Sequence, residues 1–468
     1  MINFTKRLKK DKILEVLRQK GAKVYFVGIG GISMSSLALI LKERGIRVAG
    51  SDIKKTQVTE NLQKRGIHIR YSHSREAIMS FAPDLVVFSL SLNENNAEYK
   101  AVLDMNINAV SRAELLGAIM VEYETSIGIS GSHGKSTVTA MIGEILTAAD
   151  LKPTLLCGAE IVAGAGVVIG GKNYLVYESC EYGDSFLEFQ PDIQVLLNLD
   201  MDHTDYFKSE EMIKDSFLKS ANTAKSSCVL NLDSKNLASI CDKIIPAVHT
   251  FSKGNSAEYR YEMKKGDKGV YSFKLYKRNE FIGEYHPSLK GEFNALNAVA
   301  AAVSADVVGV PYLKVKTTLE SFKGIKRRLE LIKKTERFDV FYDYAHHPCE
   351  IKASNQALHD MGYKRITAVF APHTYSRTAY FLKDFASELS KFETAYIAEI
   401  YGARESAVVG ISSLTLANAV NNDGGNSHAV SDSEICDMVR TIESSDTDCV
   451  VLLGAGNVEK YKEEFMKI

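Results

Sequence analysis

Short apolar runs closed by glycine-rich or polar turns recur along the chain, and stretches with helical spacing follow several of them. Lys23-Val24-Tyr25-Phe26-Val27 reads as a buried strand, followed by the turn Gly28-Ile29-Gly30-Gly31-Ile32-Ser33 and a helix through Leu37, Leu39 and Leu41. The strand Ile46-Arg47-Val48-Ala49-Gly50 comes next and stops at Ser51-Asp52, and Leu85-Val86-Val87-Phe88-Ser89 repeats the pattern. This strand–helix–strand alternation predicts a parallel sheet covered by helices on its faces.

A second unit opens near residue 123. The run Ser126-Ile127-Gly128-Ile129-Ser130 leads through a glycine turn into the helical pattern Val138 to Leu146. Further strands are expected at Tyr174-Leu175-Val176-Tyr177 and Gln194-Val195-Leu196-Leu197-Asn198. Between 255 and 290 short alternating runs with Gly and Lys predict an antiparallel ribbon, and an Ala-rich helix follows from Asn294 to Ala305. A third unit starts after Gly324, with strands at Asp339-Val340-Phe341-Tyr342, Ile366 to Phe370 and Cys449 to Leu453. A chain of 468 residues exceeds what one core supports, so two to four domains are expected.

Composition narrows the function classes. A formal net charge of −1 gives no electrostatic case for nucleic acid or a membrane surface. The basic run Lys6-Arg7-Leu8-Lys9-Lys10-Asp11-Lys12 reads as the solvated face of a first helix that buries Ile13, Val16 and Leu17. No stretch approaches the roughly 20 apolar residues of a membrane span, so no membrane insertion is expected. The N-terminus lacks the apolar core of a signal peptide. Seven scattered cysteines without a Cys-x-x-Cys pair suit a cytoplasmic protein with buried thiols. Monomer and homodimer both stay open.

The strongest chemical signal is Gly131-Ser132-His133-Gly134-Lys135-Ser136-Thr137. Small residues turn backbone N–H groups toward a phosphate, and the helix that follows adds partial positive charge. Lys135 can reach β- and γ-phosphates and Ser136 can ligate Mg²⁺. Gly28-x-Gly30-Gly31-x-Ser33 departs from a dinucleotide fingerprint, because Ser33 stands where the third glycine belongs. The turn can still offer N–H groups to a diphosphate, and Asp52 ends the next strand where a carboxylate commonly meets a ribose or base. Glu178, at the end of an apolar strand, suits a hard cation. The polar segment Asn198 to Tyr206 could complete a metal site through His203. Asp343-Tyr344-Ala345-His346-His347-Pro348 reads as a polar binding turn, and Arg377, in the segment Ala371 to Thr378, suits a carboxylate or phosphate through its fork.

Taken together, these motifs resemble the Mur ligase family over essentially the whole chain and in the family's order. The matches include Phe26 to Met34, Ser51-Asp52, His73, Arg112-Ala113-Glu114, Gly131 to Thr137, Glu178, Asp202-His203, Asn294-x-x-Asn297, Lys326-Arg327-Arg328, Asp343 to Pro348, Pro372-His373-x-Tyr375-Ser376-Arg377-Thr378 and Gly454-Ala455-Gly456. The resemblance implies an α/β protein of three domains. Residues 1–122 would form a Rossmann-like UDP-binding domain, 123–325 a central phosphate-loop ATPase-type domain, and 326–468 a Rossmann-like C-terminal domain. It implies that Gly28, Gly30, Gly31, Ser33, Asp52 and His73 hold the UDP part. Gly131, Ser132, His133, Gly134, Lys135, Ser136, Thr137, Asn294, Asn297, Arg328 and Asp343 would hold ATP. Magnesium would fall to Ser136, Glu178 and His203. Tyr344, His346, His373 and Arg377 would face the amino acid and the reacting phosphate, with Lys135, Glu178, His203, His346 and Arg377 carrying the chemistry.

The implied reaction joins an amino acid, L-alanine by the form of the 372–378 run, to the lactyl carboxylate of UDP-N-acetylmuramate through an acyl phosphate, in peptidoglycan precursor synthesis. Four positions depart from the family pattern: Ser136 for Thr, Cys180 for Asp, Tyr342 for a second Asp and Thr374 for Arg. Three other readings stay open at this point. They are a sibling ligase that joins a muropeptide, a regulatory nucleotide-binding protein, and a nicotinamide-dependent dehydrogenase, the last opposed by Ser33.

Overall fold

The computed structural model describes residues 8–89, 92, 94–160, 166–403 and 405–468. Three sheets organise the chain. The first has five parallel strands in the order His68–Arg70, Arg47–Ser51, Lys23–Val27, Leu85–Phe88 and Ala109–Ser111. Its central strands are buried on both faces, which is why they read as continuous apolar runs. Strand order reverses between Lys23–Val27 and Leu85–Phe88, and the Gly28 turn lies at that switch point, where open α/β sheets bind ligands.

The second sheet has ten strands. Thr125–Ser130 lies between Ile193–Leu196 and Tyr174–Glu178, all parallel. The expected antiparallel ribbon is present as Tyr259–Lys265, Tyr271–Lys277 and Glu280–Tyr285. Helices Lys135–Ala148, Glu292–Val307 and Tyr312–Ser321 cover one face. The other face, with Leu175, Tyr177 and Leu196, shares one apolar cluster with Ile13, Leu37 and Leu116 of the first unit. The third sheet has six strands in the order Glu330–Lys334, Asp339–Asp343, Cys449–Leu453, Ile366–Phe370, Thr394–Ala398 and Ser427–Val430; only the first runs antiparallel.

The first helix, Lys10–Leu17, buries Ile13, Leu14, Val16 and Leu17; Lys6 and Arg7 of the basic run lie outside the described residues. Among the described residues no helix is long and apolar enough to cross a membrane.

Three local features shape helices that lie where the units meet. Helix Arg112–Ile119 starts on a capping box: Glu114 N–H donates to Ser111 Oγ at 3.1 Å and Ser111 N–H donates to the Glu114 carboxylate at 2.7 Å. Within that helix, a Cβ at Gly117 would come 2.3 Å from the Glu188 carbonyl oxygen. Glycine therefore permits the helix to press onto the Tyr182–Glu188 segment of the central unit. In the third unit, helix Pro348–Met361 starts with Pro at its first position behind His347, whose Nδ1 accepts from Cys349 N–H at 3.3 Å.

Candidate active site

The glycine loop follows strand Thr125–Ser130 and turns at two positions that side-chain-bearing residues avoid. Gly131 has φ 148° and Gly134 has φ 85°, and a Cβ at Gly134 would lie 2.4 Å from Asn297 Oδ1. Gly134 is also the helix N-cap and supplies no side-chain acceptor, so the first-turn N–H groups stay available for an anion. The loop is held from behind by Asn198, which accepts from His133 N–H at 2.8 Å and donates to the His133 carbonyl at 3.0 Å.

Lys135 opens the helix and donates to both oxygens of Glu181 at 2.9 Å, and to the Gly131 carbonyl at 2.5 Å. Glu181 is fully buried. Burial alone would lower the Lys135 pKa, but the Glu181 charge outweighs it and holds the ammonium protonated. Burial alone would raise Glu181, and Lys135 with His203 pulls it below the usual carboxylate range.

Glu181, Asp202 and His203 offer ligand atoms that all lie within 4.8 Å of one another. His203 Nε2 is 3.4 Å from Glu181 Oε1, and the residue takes the left-handed backbone conformation at φ 50°. Two carboxylates and an imidazole fit a hard divalent cation, and Asp202 and His203 line the same cavity as Ser136. Arg377 crosses from the third unit and donates to Asp202 Oδ1 from Nη2 at 2.6 Å and from Nε at 3.1 Å. Both side chains are nearly closed to solvent, at 5% and 6% exposure. Arg377 Nη1 also donates to His373 Nδ1 at 3.1 Å.

A cavity of about 450 Å³ lies between the second and third units, lined among others by Lys135, Ser136, Glu178, His203, Arg328, Tyr344, His346, His373 and Arg377. His346 Nδ1 donates to the Tyr344 carbonyl at 2.8 Å, which assigns the lone pair to Nε2. Burial pushes the His346 pKa down to about 3, so the ring is neutral. Thr374 adopts φ 64°, Arg327 φ 60° and Ala403 φ 53° around this cavity. Such backbone costs about 1–3 kcal/mol per residue and collects at functional sites.

An adjoining cavity of about 240 Å³ lies between helices Glu292–Val307 and Pro348–Met361, beside Thr137, Asn297, Arg328, Asp343 and Ser354. Burial raises the Asp343 carboxyl to about 6, although Ser354 Oγ donates to it at 2.7 Å. His133 sits between Asp200, at 3.4 Å, and Glu350 of the third unit, at 3.2 Å. Burial would lower its pKa, yet the two carboxylates raise it to about 10, so it bridges the units as a cation.

The N-terminal group stands apart. Gly30 N–H donates to Asp52 Oδ2 at 2.8 Å, and Ile53 N–H donates to Asp52 Oδ1 at 2.8 Å. His73 Nδ1 lies 2.6 Å from the buried Glu98 carboxylate, which also accepts from Tyr25 at 2.8 Å and Ser51 at 2.5 Å. Ser33 Oγ accepts from Arg112 at 3.0 Å.

The expected residues thus fall into three groups. Lys135, Ser136, Glu178, His203, Arg328, Tyr344, His346, His373 and Arg377 share one cavity, while His133, Thr137, Asn297 and Asp343 share the next. Gly28, Gly30, Gly31, Ser33, Asp52 and His73 gather at the switch point of the first sheet. Asn294 is buried and donates to the Lys290 carbonyl at 2.8 Å, behind the cavities rather than on their walls. Glu178 lines the larger cavity but turns its carboxylate to Gly158 N–H and to Cys157 Sγ at 3.6 Å. Glu181, three residues on, meets Lys135 and His203 instead. Glu181, Asp202, Glu350 and Arg112 were given no site role from the sequence, although Asp202 and Arg112 lie in matched motifs; for Glu181 the available signal was its place in the run Glu178-Ser179-Cys180-Glu181.

Fold and site together define a three-unit α/β enzyme with a phosphate loop, an acid–imidazole cluster beside its lysine, and a third unit closed over both. The chain belongs to the Mur ligase family. Models described as the Mur ligase family catalytic domain, the Mur ligase middle domain and the Mur ligase glutamate ligase domain match residues 23–124, 129–305 and 327–456. The chain is 37% identical to the UDP-N-acetylmuramate–L-alanine ligase of Caldanaerobacter subterraneus over 97% of this chain and 99% of that one. It is 38% identical to the ligase of the same name from Acetivibrio thermocellus over 95% of each. Among solved structures, the UDP-N-acetylmuramate-alanine ligase MurC of Thermotoga maritima superposes with a TM-score of 0.81 at 24% identity, covering 95% of this chain and 98% of that one. A murein peptide ligase from Psychrobacter arcticus gives 0.72 at 22% identity, covering 96% and 98%.

Proposed function

We propose that this protein is an ATP-dependent ligase that joins L-alanine to the lactyl carboxylate of UDP-N-acetylmuramate, releasing ADP and phosphate, in peptidoglycan precursor synthesis. The observation that carries the reading is the shared cavity. Lys135 of the phosphate loop lines it together with His346, His373 and Arg377 of the third unit, in a chain similar end to end to ligases of that name.

ATP phosphates would lie on the loop N–H groups and Lys135, with the nucleoside toward Asn297 and Asp343. Lys135 would leave Glu181 for the γ-phosphoryl and stabilise the charge spread over its oxygens during transfer to the carboxylate. Ser136, His203 and the carboxylates Glu178, Glu181 and Asp202 would hold Mg²⁺, which neutralises phosphoryl charge when bound. Neutral His346 offers a hydrogen-bond acceptor to the incoming amine and adds no charge to repel it. The amine then attacks the acyl phosphate and phosphate leaves. Water must be kept out meanwhile, and contacts across the two units do this: Arg377 with Asp202, His133 with Glu350, and Lys326 with Glu160 at 2.6 Å. We divide the chain at 122/123 and 325/326, between the sheets, and place it in the cytoplasm, where free thiols persist.

The test is product analysis by mass spectrometry with ATP, Mg²⁺, UDP-N-acetylmuramate and competing L-alanine, glycine, L-serine and a muropeptide tripeptide. L-alanine should dominate, with glycine and L-serine poor but detectable, since a methylene in an apolar pocket is worth only about 1–3 kcal/mol. Preference for the tripeptide would overturn the reading.

A further inference from the structure

Arg112 is a cation whose charge no described contact answers. It is partly buried at the first position of helix Arg112–Ile119. Among the described residues its one hydrogen-bond partner is Ser33, whose Oγ accepts from Nη1 at 3.0 Å, and no carboxylate of theirs lies within ion-pair distance. Burial lowers its pKa, and the groups that oppose this through space are Cys180 and Glu178. A desolvated guanidinium without a counter-ion is costly unless an anion completes it.

Its position says which anion. Ser33 belongs to the helix that follows the glycine turn of the first sheet, the place for a diphosphate. Glu178 and Cys180 line the phosphate-loop cavity. The contact of Gly117 with the Glu188 carbonyl holds the helix bearing Arg112 against the segment that follows Glu181. A Cβ at Gly166 would come 3.2 Å from Ile32, in the same helix as Ser33, and the Gly166 carbonyl accepts from Cys157 N–H next to Glu178. Arg112 therefore stands between the diphosphate turn and the γ-phosphate site. In the ligase reading, on which this inference rests, the substrate group spanning that interval is the lactyl arm and its carboxylate.

We propose that Arg112, oriented by Ser33, binds the lactyl carboxylate of the UDP-sugar and holds it toward the phosphate loop. The guanidinium fork matches a carboxylate, with Nη2 and Nε left for it. The reacting oxygen is thereby placed before ATP arrives.

The test compares two ligands that differ only in the lactyl group. Dissociation constants for UDP-N-acetylmuramate and UDP-N-acetylglucosamine are measured by titration calorimetry on the wild-type protein, Arg112→Met, Arg112→Lys and Ser33→Ala. Arg112→Met should weaken UDP-N-acetylmuramate by roughly 10–100-fold, the scale of a lost charge-assisted hydrogen bond, and UDP-N-acetylglucosamine by less than about twofold on the same principle. Arg112→Lys and Ser33→Ala should show the same selectivity with smaller losses, which keeps the test valid should the Met variant fold poorly. Equal loss for both ligands would assign Arg112 to the shared diphosphate or to structure, and no loss for either would remove it from the site; both overturn the proposal. A wild-type protein that binds neither ligand would contradict the ligase reading itself.

Discussion

Replacing Arg377 by Met separates the chemistry of closure from the stability of the individual units. Arg377 gives Asp202 two hydrogen bonds, and both side chains are about 5% exposed. Removing one partner of a buried ion pair costs about 3–5 kcal/mol, because the remaining charge is left without compensation. Here the pair spans two units, so the molecule can escape that cost by opening and returning Asp202 to water. The penalty therefore falls on the closing equilibrium, where 1.4 kcal/mol is a factor of ten, and closure should weaken by roughly 10²-fold to several 10³-fold. Small-angle scattering should show an expanded envelope for Arg377→Met, and kcat/KM for ATP should fall by a similar factor. Asp202→Asn added to Arg377→Met removes the stranded charge and should recover the compact envelope without recovering the rate. If Arg377→Met scatters as the wild type does, or if the double variant is as open as the single one, the ion pair does not hold the units together and the argument fails.

Three further outcomes follow from the same geometry. Lys135→Ala should lose about 10²-fold or more in turnover, the scale of a lost transition-state charge partner, and should also lower the melting temperature by stranding buried Glu181; adding Glu181→Gln should restore the melting temperature but not the rate. Burial raises the Cys180 thiol above its ordinary pKa, so it is protonated at neutral pH, and Cys180→Ser should keep most activity; complete loss in a folded variant would show that the thiol takes part. Asp343 titrates near 6 in the fold against about 3.9 unfolded, so its contribution is fully present below the unfolded value and is lost as pH rises through the folded one. Asp343→Asn should therefore raise the melting temperature relative to wild type more at pH 7.5 than at pH 5, and a pH-independent difference would contradict the assignment.

The parts legible in the sequence were local ones. Lys23 to Val27 and Leu85 to Phe88 announce parallel strands because burial on both faces makes every position apolar, and the glycine loop announces itself because Gly131 and Gly134 need positive φ. Short strands escaped for the opposite reason: Thr154–Leu156 and Ser427–Val430 are too brief to carry a pattern. The choice between Glu178 and Glu181 was illegible because both follow the same strand. Only the fold of the intervening turn decides which carboxylate meets Lys135. Asp202 and Arg377 lie 175 residues apart, and no local pattern predicts their pairing. Tyr342 stands where an Asp was expected because alternation along Asp339–Asp343 sends it to the far face, into the cluster with Val450 and Tyr461, while Asp343 faces the smaller cavity.

The central claim is that one phosphate loop serves two other substrates held by the units on either side of it. ADP release in a coupled assay, with ATP and Mg²⁺ always present and UDP-N-acetylmuramate and L-alanine each added or withheld, tests it most directly. ADP should form slowly unless both are present. Equal ADP release without the UDP-sugar would contradict the account.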